Sequence, residues 1–132
     1  MTAVGACCGK VGINLTDQEF FFSNNVLKFS PNEKLLTKRY LYHFLLSQQE
    51  EIEGMRKGSS QPFVGQSALK RLKIPVPSLE TQMKISETLD KFREIEREIE
   101  REIEREIERE ISLRDKQYEY YRNYLITGSH GE

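Results

Sequence analysis

"REIEREIEREIEREIEREI" occupies residues 93–111. Four residues recur without variation. A packed core does not tolerate such a repeat, because interlocking side chains differ from layer to layer. A helix turns about 100° and rises about 1.5 Å per residue, so each unit advances about 6 Å and overshoots a full turn by about 40°. Ile95, Ile99, Ile103, Ile107 and Ile111 therefore form a stripe that winds slowly round the helix. A left-handed coiled coil uses a spacing of about 3.5 and an 11-residue pattern about 3.67, and a strict four fits neither. Pairing with another helix then needs flanking segments that reset the seam. Ile85, Leu89 and Phe92 precede the repeat, and Leu113, Tyr118, Tyr121 and Leu125 follow it.

The charges carry the same message. At a separation of four, Arg93 faces Arg97 and Glu94 faces Glu98, and only pairs such as Arg93–Glu96 and Glu94–Arg97, three apart, attract. This is not the surface of a helix tuned to stand alone. It reads either as an expanded, solvated low-complexity helix or as a spacer whose length is the functional variable.

Working outward, the helical pattern runs from Leu79 to Ile126, which corresponds to roughly 72 Å. Ser78 supplies an N-cap, Glu80 suits the first turn, and Gly128 is a stop. In a chain of 132 residues this leaves fewer than 80 for a globular part. Such a unit buries only about 60% of its unfolded surface and is marginal alone, so a partner is expected. The net charge of −1 hides a split. Residues 1–79 carry ten Lys and Arg against six acids, whereas residues 93–111 carry nine Glu against five Arg. A basic head on an acidic rod points to an anionic ligand at the head.

Residues 10–29 read as extended, with "KVGINL" and "EFFFSNNVLKF" on either side of a turn at Thr16–Asp17. "SPNE" then predicts a helix from Ser30 to about Glu53, with Pro31 at its first position and Glu33 closing a capping box. Leu41, Leu45 and Ile52 form its buried stripe, with Leu36, Tyr40 and Phe44 beside it, and Gly54 ends it. The spacing predicts a short helix over 66–72 and a final strand over 73–76, stiffened by Pro75 and Pro77.

Enzyme chemistry finds no support. "GACCGK", residues 5–10, is one residue short of a phosphate loop, and Val11 stands where a hydroxyl must bind magnesium. His43 lies on a helix with no partner at metal-ligand spacing, and His130 lies in the tail. Cys7 and Cys8 are adjacent and read as free, buried thiols of a reducing cytoplasm. No apolar run approaches membrane length, and there is no signal-peptide pattern. The better lead is Arg56 to Lys73, which holds five basic residues and no acid. Arg56, Lys57, Ser59, Ser60 and Gln61 suit phosphate and base-edge contacts, with Lys10 as a further phosphate ligand. An ordinary polar surface loop has the same composition.

"GSSQPFVGQSALKRLKIPVPSLETQMKISETLDKF", residues 58–92, resembles the junction in specificity subunits of type I restriction–modification enzymes. Gly58, Gln61, Leu69, Ile74, Pro75, Pro77, Leu79, Gln82, Ile85 and Leu89 carry the likeness, and the resemblance extends over roughly residues 5–126. It implies an α/β (α+β) fold with a partial target-recognition domain over 1–77. A long α-helix over 78–126 would follow, forming a coiled coil, then a disordered tail over 127–132. It also implies a non-catalytic, cytoplasmic subunit of half length, or a remnant of one, that reads double-stranded DNA. Partner modification subunits would bind S-adenosylmethionine and methylate, a restriction subunit would cleave, and this chain would hold no cofactor or metal. Ile85, Leu89, Phe92 and the five repeat isoleucines would pair the helix, antiparallel, with a second copy or with another specificity chain. Such subunits vary four-residue repeats in the spacer helix, which makes the repeat a ruler. The rival expectation is a coiled-coil protein that binds no DNA and only pairs with other specificity subunits.

Overall fold

The structure is a computed structural model that describes residues 1–16, 18–19 and 21–128. It divides into two compact units, residues 1–89 and 90–132. Four helices are present among the described residues: α1 (Lys38–Ser47), α2 (Gln49–Gly54), α3 (Gln66–Leu69) and α4 (Leu79–Thr127).

The first unit centres on a small core of Met1, Cys8, Leu45, Ile52, Val64 and Leu69. Ile52 and Cys8 are fully buried, and Val11, Leu27, Leu41, Phe44, Met55 and Leu72 pack around them. The stripe expected on the first helical segment is therefore the buried one. Its cap is different. Asn32, not Ser30, organises the approach: its side chain accepts from Lys34 N at 3.2 Å and its carbonyl from Leu36 N at 2.9 Å. Glu33 pairs with Lys38 at 3.2 Å instead of closing a capping box. Thr37 caps α1, accepting from Tyr40 N at 3.3 Å. The expected single helix over 30–53 is thus two helices, the first starting at Lys38.

The expected α/β domain is corrected as well. Among the described residues, β structure is confined to isolated antiparallel bridges, Thr2 with Val26, Val4 with Phe63, and Lys57 with Phe63. A strand needs a neighbour along its length, and two-residue pairings do not extend into a sheet. Residues 1–4 supply the neighbour for 25–27 and 62–64, and residues 11–22 form no bridge among the described residues. Phe21 is 99% exposed and Leu15 61% exposed. The turn near Thr16 is braced by Asn14, whose side chain accepts from Thr16 N at 2.9 Å and donates to Gln18 O at 3.1 Å. Asp17, the other residue of the expected turn, and the tail from Ser129 lie outside the described residues. Residues 73–76 are not a strand either; Tyr40 Oη donates to Pro75 O at 3.0 Å and fixes them to α1.

The long helix begins where expected. Ser78 Oγ accepts from Thr81 N at 3.3 Å, and Glu80 lies in the first turn. Gly128, at φ +63°, stands just past its end. No helix among the described residues is long and apolar enough to cross a membrane.

Candidate nucleic-acid interface

Lys57 and Phe63 exchange both backbone hydrogen bonds at 2.9 Å, which closes a loop over residues 58–62. Gly58 makes the reversal possible. Its φ is +90°, and a Cβ there would lie 2.9 Å from Gln61 O. Lys57, Ser59, Ser60 and Gln61 are all exposed on this loop. Its base is anchored to the N-terminal segment, with Gly5 N donating to Pro62 O and Val64 N to Ala3 O, each at 2.8 Å.

Lys10 is exposed and joins the same scaffold, because its carbonyl accepts from Thr2 N at 2.9 Å. The preceding turn places Gly5 and Gly9 at φ +102° and +95°. Gly9 packs close to Ile52 and Glu53 of α2, where a Cβ would touch both at 3.5 Å. So "GACCGK" builds a tight turn against α2, and of the two free thiols expected to be buried Cys8 is, while Cys7 is exposed.

Arg56 has a different position from the loop residues. Its Nε donates to Cys8 O at 2.9 Å, and its guanidinium pairs with Glu53 at 3.2 Å. It is a strut between the end of α2 and the glycine turn. Composition alone groups it with Lys57. Lys70, Arg71 and Lys73, after α3, are exposed and complete the basic segment. His43 is buried and lies against the Tyr42 ring at 5.4 Å.

The residue that sequence reasoning undervalued is Gln82. Fully buried on the first turns of α4, it donates from Nε2 to Leu35 O at 2.8 Å and to Pro77 O at 2.9 Å. Its Oε1 accepts from Thr37 N at 2.9 Å. One side chain thus ties the approach to α1, the proline segment and the start of α4. A Gln on a polar helix gives no signal of this, except through its place in the resemblance.

On α4 the pairing candidates are open to solvent. Ile85 and Leu89 are each 37% exposed, and Phe92 is 65% exposed. Ile95, Ile99, Ile103, Ile107 and Ile111 fall between 51% and 55%. Leu89, Phe92 and Ile95 are three apart, and two such steps turn the stripe back by about 120°. The four steps from Ile95 to Ile111 turn it forward by about 160°, so the excursions nearly cancel along the helix.

The family described as type I restriction modification DNA specificity domain matches residues 1–109. The specificity subunit of the type I restriction enzyme EcoR124I/EcoR124II of Escherichia coli is 39% identical over 99 residues, 74% of this chain and 23% of that protein. A putative type I restriction enzyme specificity subunit of Haemophilus influenzae, S.HindORF215P, is 39% identical over 106 residues, 80% of this chain and 27% of its own. The MjaVIII specificity subunit of Methanocaldococcus jannaschii is 29% identical over 70 residues, 53% of this chain and 16% of its own. No solved structure gives a significant match. The chain belongs to the type I restriction–modification DNA specificity family, and it spans about a quarter of the length of the curated relatives it matches.

Proposed function

We propose that this member of the type I specificity family is a DNA-reading piece of a specificity subunit, non-catalytic itself, that directs methylation and cleavage by partner subunits. The observation that carries the reading is the closed, exposed loop Lys57–Gln61 on a basic head, in a chain with this family membership. Lys57 and Lys10 would hold phosphates, while Ser59, Ser60 and Gln61 would meet base edges. Arg56 would act chiefly by holding the loop's base in place. Double-stranded DNA is the ligand, and modification subunits carrying S-adenosylmethionine, with a restriction subunit, are the assembly partners. The long helix would pair with the helix of a second specificity chain, or a second copy, and fix the distance between two reading heads.

The test is binding of labelled duplexes as salt is raised. Neutralising phosphates releases counterions, so affinity must fall steeply with salt. A salt-independent or absent signal, in the presence of modification subunits, would leave only the rival reading of a pairing helix that binds no DNA.

A further inference from the structure

We propose that the isoleucine stripe of α4 takes a helix with Lys- and Arg-rich flanks, belonging to a different chain, and disfavours a second copy of its own repeat. This rests on the reading of α4 as a pairing helix and names the partner's chemistry.

The repeat isoleucines are half exposed, and Ile99, Ile103 and Ile107 have identical neighbours in sequence. What lies beside them decides what can cover them. Take Ile103 as the centre of the stripe. Glu100 and Glu104 lie about 60° and 100° to one side, and Glu106 and Glu102 lie about 60° and 100° to the other. Arg101 and Arg105 stand about 160° away, on the back of the helix. The same arrangement recurs at Ile99 and Ile107, because the repeat is perfect. Both edges of the apolar stripe are therefore rows of glutamate.

In paired helices the residues beside the seam meet the partner's flanks, and they choose the partner. A second copy would set glutamate against glutamate on both edges, whether parallel or antiparallel. The repeat arginines stand on the far side of the helix from that contact, and Arg93 pairs along its own helix with Glu96 at 3.1 Å. A helix with Lys or Arg beside its seam would meet the glutamate rows, and its long stems would cover the isoleucine edges. The stripe supplies apolar area while the flanks select against the wrong partner.

The experiment uses the full chain, fluorescently labelled, with two synthetic helices of equal length and isoleucine spacing. One copies the native repeat. The other exchanges the charges, placing Lys beside each Ile and Glu on the back. At about 0.05 M salt the Lys-flanked helix should bind at least about tenfold more tightly, and the gap should close near 0.5 M as screening grows. Replacing Ile103 and Ile107 by Ser in the chain keeps every charge and should abolish binding. Equal or tighter binding of the native repeat would overturn the proposal while leaving the pairing reading intact. Binding that survives the Ser replacements would reduce it to diffuse charge attraction and overturn it too. Failure of both helices to bind would remove the pairing reading itself, and the proposal with it.

Discussion

The residues around Gln82 and the residues around Ile103 lie on the same helix and obey opposite rules. Gln82 is fully buried and has three individual partners, each from a different part of the first unit. Ile103 is 53% exposed, and its surroundings are repeated one unit earlier and one unit later. In the first region Gln82 has partners of its own, so its substitution has a local cost. In the second, units are interchangeable, and what changes with their number is length and angle. The proposed function uses both properties, a fixed surface for reading and an adjustable span.

The sharpest way to break this contrast is the same substitution in both regions. Ile52→Ala empties a fully buried core position and should cost about 2–5 kcal/mol, read as a lower urea midpoint of the first unit. Ile103→Ala should leave that midpoint unchanged, since alanine favours helix and no core contact is lost. Equal losses would mean that the repeat packs as a core. Next in size is Gln82→Ala, which strands Leu35 O, Pro77 O and Thr37 N and should cost about 1–3 kcal/mol. Gln82→Glu keeps the acceptor for Thr37 but aims a carboxylate oxygen at two carbonyls, and should do no better. Hydrogen exchange at the Thr37 amide is the local readout; protection retained in Gln82→Ala would contradict the clamp. Gly58→Ala comes third, at about 1–3 kcal/mol, from a strained φ and a Cβ 2.9 Å from Gln61 O. Its cost should fall on the loop, so DNA affinity should drop more than global stability. The smallest effect concerns Lys57→Ala. It should weaken binding to all duplexes alike and lower the salt slope by about 1. Sequence-dependent losses would instead place Lys57 at base edges.

How much of this was visible in the sequence follows the same division. The long helix was legible nearly to the residue, because its cap, periodicity and stop are local signals at Ser78, Ile95–Ile111 and Gly128. The buried stripe Leu41, Leu45 and Ile52 was legible for the same reason. The start of α1 was not. Ser30, Pro31 and Glu33 carry a good local cap signature, yet Thr37 takes the role while Gln82, 45 residues away, holds its amide. Nor was the absence of a sheet among the described residues. "KVGINL" and "EFFF" have strand composition, but composition does not supply a neighbouring strand, and the pairing found is limited to isolated bridges. At the loop over 58–62, residue type alone picks out Gly58 and the polar residues, which the structure shows to be exposed. Arg56 was grouped with them by charge, and its bond to Cys8 O depends on a fold that local pattern does not encode.

The most direct test is to change the number of repeat units. One "REIE" unit inserted after Glu108 lengthens α4 by about 6 Å and turns its far end about 40° beyond a full turn. DNA rises about 3.4 Å per base pair and turns once in about 10 base pairs, so one unit matches one or two base pairs. Methylation should be mapped across the genome in cells that carry active modification subunits and either version of the chain. The expected result is a bipartite target whose unread spacer grows by one or two base pairs while both half-sites stay the same. An unchanged spacer, or half-sites that change with the repeat, would contradict the ruler and leave residues 93–111 as a solvated, expanded helix.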